Sequence, residues 1–304
     1  MIRRADLDYR TPAGYVDDFF AYVYDADNLP DLGNYRDVPV TIEADSDFVL
    51  RKIDGMGTVL AAAPGTVRAG QFLLKDANGG RVSESERYAQ IGPGIDTTAI
   101  VPERTYPRQG AIRFDLLNVQ KQLYFTPGPP FLTVPAAQFI FTGVKRYAGS
   151  EKQSTYKYRL LPYSYTIRFF IDWDVYAYIA GVPAGRSPAQ QFYIPVNDLD
   201  FELWGLVDEG APIGAGPPAS HAKLQLYDSA RRQRFSNPVL VDYFAYNSPL
   251  SVGNAIAPPI LYPVGSQIKF DLYSMMFTTE PAFPLEREWT FFGAQRVPIG
   301  NGRG

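Results

Sequence analysis

The chain has 304 residues, with 29 Lys and Arg against 32 Asp and Glu, one His and no Cys. A formal charge of −3 provides no basic field to hold nucleic acid, and the missing thiols exclude disulfides and thiolate catalysis. No run of about 18 apolar residues occurs, so no transmembrane helix is expected, while 21 Tyr, 20 Phe, 26 Gly and 26 Pro suit half-buried strands joined by many turns.

Residues 1–37 read as an N-terminal arm or leading strand. Met1-Ile2-Arg3-Arg4 runs into Ala5-Asp6-Leu7-Asp8, so no signal peptide is expected and folding in a reducing cytoplasm is. Phe20-Ala21-Tyr22-Val23-Tyr24 alternates at a period of two, which favours a strand. A first module spans 38–147. Its strands are read at Phe48–Ile53, Gln71–Lys75, Ile112–Leu116 and Gln138–Thr142, with a hairpin loop at Asp76-Ala77-Asn78-Gly79-Gly80, where Asn and Gly accept positive φ. In Ile112-Arg113-Phe114-Asp115-Leu116 the apolar side chains point one way and the charges the other, as a strand with one buried face requires.

Residues 148–193 form a linking segment with a long strand signal over Tyr156–Ile179. A second module spans 194–297, with strands at Phe201–Leu206, Lys223–Tyr227, Ile268–Leu272 and Glu288–Phe292, and 298–304 form a tail. The second module repeats the first. Asp47-Phe48 returns as Asp200-Phe201, and Arg81-Val82-Ser83 as Arg234-Phe235-Ser236. Tyr106-Pro107 with Ile112–Leu116 returns as Tyr262-Pro263 with Ile268–Leu272, and Phe141-Thr142-Gly143 with Arg146 as Phe291-Phe292-Gly293 with Arg296. The order is identical, and the offset drifts only between 150 (146→296) and 156 (112→268). Tyr9-Arg10 and Tyr158-Arg159 extend the match to a leading strand. The expected fold is all-β: two tandem homologous antiparallel β-sandwich modules, jelly-roll or Greek-key-like, with extended aromatic strands.

Chemistry is sparse. His221 lies in a Pro/Ala/Ser loop with no counterpart in the first copy, which argues against a catalytic triad. Glu43, Asp45 and Asp47 could offer oxygens to Ca²⁺, or form an Asp-rich turn bonded to backbone N–H groups. Asp172 and Asp174 flank Trp173 like a glycosidase pair, though they share a polar strand face with Arg168. Gly92-Pro93-Gly94 lacks the residues of a phosphate loop, and Arg231-Arg232-Gln233-Arg234 reads as a solvated turn. No catalytic residue and no cofactor is expected. Arg51 aligns with Trp204 and Lys75 with Tyr227, so the second copy carries aromatics where the first carries charges. Trp204 and Tyr227 are therefore candidates for an interaction surface, with packing between the modules the other reading, and Tyr22, Tyr24 and Trp173 of the aromatic extensions are further interface candidates.

The two sets of motifs, Asp47–Leu50, Tyr106-Pro107 with Ile112–Leu116 and Phe141–Arg146, and their partners at Asp200–Leu203, Tyr262-Pro263 with Ile268–Leu272 and Phe291–Arg296, resemble the structural proteins of tailed-bacteriophage virions. The resemblance implies a non-enzymatic head, neck or tail component, made in the host bacterial cytoplasm, assembling with copies of itself and other virion proteins. From charge and hydropathy, no membrane or nucleic-acid partner is expected. A carbohydrate-binding sandwich using Trp173, Trp204 and Tyr227, and a small double jelly-roll capsid protein, are the alternatives.

Overall fold

The computed structural model describes residues 11–25, 32–57, 67–75, 80, 87–91, 97–120, 137–149, 157–171, 190–208, 222–243, 255–274 and 285–299. Sixteen strands run through these residues, and a single 3-10 turn at Val241–Tyr243 is the one helical element among them. In the first half the strands are β1 (Tyr15–Asp25), β2 (Leu32–Thr41), β3 (Asp47–Gly57), β4 (Val67–Lys75), β5 (Arg87–Ile91), β6 (Thr97–Tyr106), β7 (Ala111–Gln120) and β8 (Ala137–Ala148). In the second they are β9 (Tyr158–Ile171), β10 (Gln190–Pro195), β11 (Phe201–Asp208), β12 (Ala222–Leu226), β13 (Val239–Leu240), β14 (Ile260–Tyr262), β15 (Gln267–Ser274) and β16 (Leu285–Pro298).

The first half folds into sheets ordered β1-β8-β3-β6 and β2-β7-β4-β5, the second into β9-β16-β11-β14 and β10-β15-β12-β13. The ladder pairs are all antiparallel. Adding eight to each strand number converts the first pair of sheets into the second. Strands one, eight, three and six facing strands two, seven, four and five is the jelly-roll order, two Greek keys folded into a sandwich. The chain is thus a tandem pair of jelly rolls.

The alternation read in the sequence fills both cores. Ile112, Phe114 and Leu116 of β7 are buried against Phe48, Phe72, Phe139 and Phe141, and Ile268, Phe270 and Leu272 of β15 against Phe201, Phe291 and Trp289. The rings of Phe72 and Phe114 stack at 5.1 Å, and those of Phe192 and Phe270 at 4.9 Å. Tyr15–Asp25 and Tyr158–Ile171, which the sequence set beside the modules, each form the edge of a module's sheet, paired with β8 and β16. Tyr15 stands opposite Ala148 and Tyr158 opposite Pro298. The counterpart of Tyr158 is therefore Tyr15 and not Tyr9: strand pairing sets the register, and the shared Tyr-Arg dipeptide misplaces it.

The repeated motifs perform the same task twice. After each Tyr-Pro, a tight turn forms: Gly110 N–H donates to Pro107 O at 2.9 Å, and Ser266 N–H to Pro263 O at 3.0 Å. Each turn holds one left-handed residue, Gln109 at φ 62 and Gly265 at φ 81. Asp47 Oδ1 accepts from Arg108 N–H at 3.0 Å and Asp200 Oδ1 from Val264 N–H at 2.9 Å, so the Asp before Phe anchors that turn. The ladder of β3 slips between Leu50 and Lys52, that of β11 between Leu203 and Gly205. Arg51 and Trp204 are the extra residues of two equivalent bulges. Opposite them stand Gly143 and Gly293, where a Cβ would lie 2.0 Å from Val49 O and 1.8 Å from Glu202 O. The Gly of each closing Phe-x-Gly-x-x-Arg motif is thus required by the close approach of a neighbouring backbone.

Candidate functional site

The two jelly rolls meet along the edge of β1, and this joint is built from both faces of one strand. Phe20 and Tyr22 point into the first core, while Phe19, Ala21 and Val23 join the second core together with Ile140 of β8, Phe235, Val239, Leu240 and Tyr243. Segment 234–236 lies along the β1 edge. Ala21 N–H donates to Arg234 O at 3.1 Å, Ser236 N–H to Ala21 O at 3.0 Å, and Val23 N–H to Ser236 Oγ at 2.9 Å. An edge strand's unpaired backbone groups are thereby satisfied within the chain.

Polar groups complete the joint. Gln138, wholly buried, donates from Nε2 to Asp25 Oδ1 at 2.7 Å and to Pro238 O at 2.9 Å, and accepts from Leu240 N–H at 2.8 Å. Thr142 and Tyr243 share a hydroxyl hydrogen bond of 2.6 Å, and Lys223 Nζ reaches Asp25 Oδ1 at 2.8 Å. Arg232 and Arg234 both hold Asp228 at 2.7 Å and reach Asp18 of β1 at 3.3 and 3.4 Å. The Arg231–Arg234 run is therefore not simply a solvated turn. Arg234 is buried, because a guanidinium can bind two carboxylates and the Phe19 carbonyl at once.

The other sequence candidates fall elsewhere. Tyr22 is buried in the first core, edge-on to Phe48 at 4.9 Å, and its hydroxyl accepts from Glu43 N–H. Tyr24 packs against Phe114 at 5.3 Å. Tyr227 is buried, donating to Asp271 Oδ2 at 2.6 Å with Lys269 Nζ over its ring at 4.2 Å. All three side chains make contacts within their own modules. Trp204 is half-buried at its bulge and Trp173, with Asp172, Asp174, His221 and Gly92–Gly94, lies outside the described residues. Glu43 and Asp45 both accept from Lys145 Nζ, the latter at 2.9 Å, and Asp45 also from Tyr147 OH at 3.1 Å. Glu43 and Asp45 thus share Lys145, while Asp47 accepts from the Arg108 N–H, so all three carboxylates are engaged within the chain. No group of three or more His, Cys, Asp or Glu able to hold a metal occurs among the described residues.

Lys75 and Tyr227, aligned in the sequence, prove to be equivalent donors. Lys75 Nζ lies 2.7 Å from Asp115 Oδ1 and Tyr227 OH 2.6 Å from Asp271 Oδ2, and the buried Tyr106 and Tyr262 hydroxyls donate to the carbonyls of Lys75 and Tyr227. Burial alone would raise the Asp115 carboxyl, but the Lys75 ammonium and the Asp37 backbone N–H outweigh it and hold the group below the usual carboxylate range. A depressed carboxyl contributes stability above its unfolded pKa, and that contribution is lost as pH falls through the folded value. Asp115→Asn is expected to lower the unfolding midpoint in urea at pH 7, with the gap to the parent closing below about pH 4. Urea titrations at pH 7, 5, 4 and 3 check this; a gap independent of pH refutes it.

Among the described residues, one edge has no such closure. β9 is the counterpart of β1 and, with 14 residues, is among the longest strands. Among the described residues, β16 is its one partner in the sheet. Its outer face carries Pro162, Ser164 and Thr166 where β1 carries Phe19, Ala21 and Val23. Leu161 and Tyr163 are exposed large side chains on this strand.

No family model matches this sequence, and no curated protein matches it. Among solved structures, the chain is similar to VP54 of PBCV-1, fitted into a reconstruction of the virophage Sputnik. Identity is 12 %, covering 95 % of this chain and 96 % of that one, with a TM-score of 0.23. It is similar to the exported protein XepA of PBSX at 10 % identity, covering 96 % and 92 % of the two chains, with a TM-score of 0.18. A tandem CBM22 domain of Paenibacillus barcinonensis Xyn10C matches at 11 % identity, covering 95 % and 94 %, with a TM-score of 0.15. Scores this low carry neither fold nor function; the fold rests on the strand order of the two sandwiches.

Proposed function

We propose that this protein is a non-enzymatic structural subunit of a virus particle, acting by ordered packing with copies of itself and with other virion proteins. The observation that carries this reading is the use made of the first edge strand. The chain already employs one jelly-roll edge, β1, as a docking strip for the neighbouring jelly roll, and it presents the equivalent edge, β9, with no strand against it among the described residues. An exposed sheet edge is a template for pairing with another chain. Jelly rolls are a recurrent architecture of viral shells, and a heterologous contact of this kind closes into a ring or extends as a lattice. Self-assembly in a bacteriophage head, neck or tail follows the sequence resemblance; a double jelly-roll shell subunit is the variant most directly supported by the fold.

Jelly rolls also serve as lectin domains, and a solvent-facing Tyr163 keeps a glycan-binding reading available. Mass measurement of the purified chain over a range of concentrations, with imaging of the assemblies, tests the two. Oligomers or sheets growing with concentration are expected. A protein that stays monomeric throughout and binds a glycan array overturns the assembly reading.

A further inference from the structure

The joint between the modules consists of a sheet edge and a strip of chain laid along it, and the duplication supplies a second version of each. In the joint the edge is β1. Ala21 N–H donates to Arg234 O, Ala21 O accepts from Ser236 N–H, and a parallel bridge sets Ala21 beside Phe235. Tyr22 faces Phe141 and Tyr165 faces Phe291, and Phe141-Thr142-Gly143 repeats as Phe291-Phe292-Gly293. Ala21 therefore corresponds to Ser164, Phe19 to Pro162 and Val23 to Thr166. The shared register turns the Ser164 N–H and C=O away from β16, as those of Ala21 turn away from β8. Phe19, Ala21 and Val23 are buried in the joint, whereas Pro162, Ser164 and Thr166 are exposed.

The strip is 234–236, in the connection from β12 to β13. In the first module β4 and β5 pair antiparallel as β12 and β13 do. The connection between them holds Arg81-Val82-Ser83, the sequence counterpart of Arg234-Phe235-Ser236. Residues 81–86 lie outside the described residues, so the correspondence rests on sequence order and on the flanking strands. Arg234 steadies the strip by bonding Asp228 at 2.7 Å, and Asp76 with Arg81 repeats that pair of residue types. Ser236, whose Oγ accepts from Val23 N–H, returns as Ser83. Each chain thus carries one edge and one strip already joined, together with a second edge, β9, and a second strip sequence.

We propose that the β9 edge receives Arg81-Val82-Ser83 of a second copy of this chain, so that the contact made in cis between β1 and 234–236 is made again in trans. Both sides depart from the cis joint in the same sense. Pro162, Ser164 and Thr166 replace Phe19, Ala21 and Val23. On β16, Glu288, paired with Arg168, and Thr290, bonded to Thr166 Oγ1 at 2.9 Å, stand where the buried Gln138 and Ile140 line the joint. In the strip, Phe235-Ser236-Asn237-Pro238-Val239-Leu240 becomes Val82-Ser83-Glu84-Ser85-Glu86-Arg87. An apolar edge meets an apolar strip within the chain, and the polar edge has a polar strip to match it. Permanent contacts are the more apolar and separable ones the more polar, so the cis joint holds the chain together while the trans contact assembles and comes apart. Edge and strip lie on different modules, which makes the contact heterologous, running head to tail. The inference rests on the assembly reading above and names the surfaces that meet.

The chain's lack of cysteine makes the test direct. Ser164→Cys and Val82→Cys are made in separate full-length chains, the positions equivalent to the bridged Ala21 and Phe235. Adjacent strands lie about 4.8 Å apart, within reach of a disulfide. Mixed and oxidised, the two chains are expected to give a cross-linked dimer containing one of each, while neither chain alone does. Sedimentation velocity, with circular dichroism to confirm folding, follows Ser164→Pro and Val82→Asp. Ser164→Pro removes one outward N–H and leaves the ladder between β9 and β16 intact. Each variant is expected to weaken self-association by roughly tenfold. Should Ser164→Pro not fold, the cross-link and Val82→Asp decide alone. A parent that forms oligomers but gives no mixed cross-link overturns this proposal and leaves the assembly reading standing. Ser164→Cys chains that cross-link to one another show a symmetric pairing of β9 with β9, and overturn the strip as the occupant. A parent chain monomeric at every concentration overturns both readings.

Discussion

Gly293→Ala is expected to abolish or severely impair folding, and Gly143→Ala to do the same in the first module. A methyl group at either position would sit far inside van der Waals contact with a backbone carbonyl, 1.8 Å from Glu202 O or 2.0 Å from Val49 O. Those oxygens belong to central strands, β11 and β3, that cannot retreat without separating from the strands on both sides. The bulges at Trp204 and Arg51 exist at these points of approach, so relaxation would have to undo the bulge as well. Overpacking of this severity lies at the upper end of single-substitution effects, about 3 kcal/mol or more. Urea unfolding followed by far-ultraviolet circular dichroism measures it. A folded Gly293→Ala chain within about 1 kcal/mol of the parent would mean that the two strands are not this close.

Phe235→Ala is the second large expectation, and it separates the joint from the modules. Phe235 has no exposed surface, lies edge-on to Phe19 of β1 at 6.2 Å, and belongs to the segment bridged to Ala21. Truncating a fully buried Phe costs about 3–5 kcal/mol through lost transfer energy and the cavity left behind. Here the cavity opens between two jelly rolls. The expected result is lower stability together with loss of the single cooperative transition, the first module melting apart from the second. Calorimetry distinguishes this from ordinary core damage: two resolved transitions support a joint that couples the modules, and one lowered transition argues that Phe235 serves the second core alone. Gln138, whose amide spans the same joint, offers a smaller perturbation of the same coupling.

The repeat was legible because its requirements are local. A strand with one buried face must alternate, an Asp before a strand can anchor a nearby turn, and a Gly beside a bulge has no substitute. Ile112–Leu116 and Ile268–Leu272 therefore carry their roles in their own residues. The equivalence of Arg51 with Trp204 and of Lys75 with Tyr227 was visible too. What those pairs do was not, since one is a bulge position and the other a donor to a carboxylate some 40 residues along the chain.

Phe20-Ala21-Tyr22-Val23-Tyr24 marks the boundary between the two kinds of information. By itself the sequence determined that this chain is a duplicated all-β sandwich, since period and order survive without knowledge of what each strand touches. Only the tertiary structure decided that β1 is apolar on both faces because it serves two cores, that Arg232 and Arg234 tie it to Asp228, and that β9 keeps one face polar and, among the described residues, one edge without a strand against it. The reason is physical: alternation reports how many faces of a strand are buried, but which partner buries them depends on contacts more than 200 residues apart, and no local pattern encodes those.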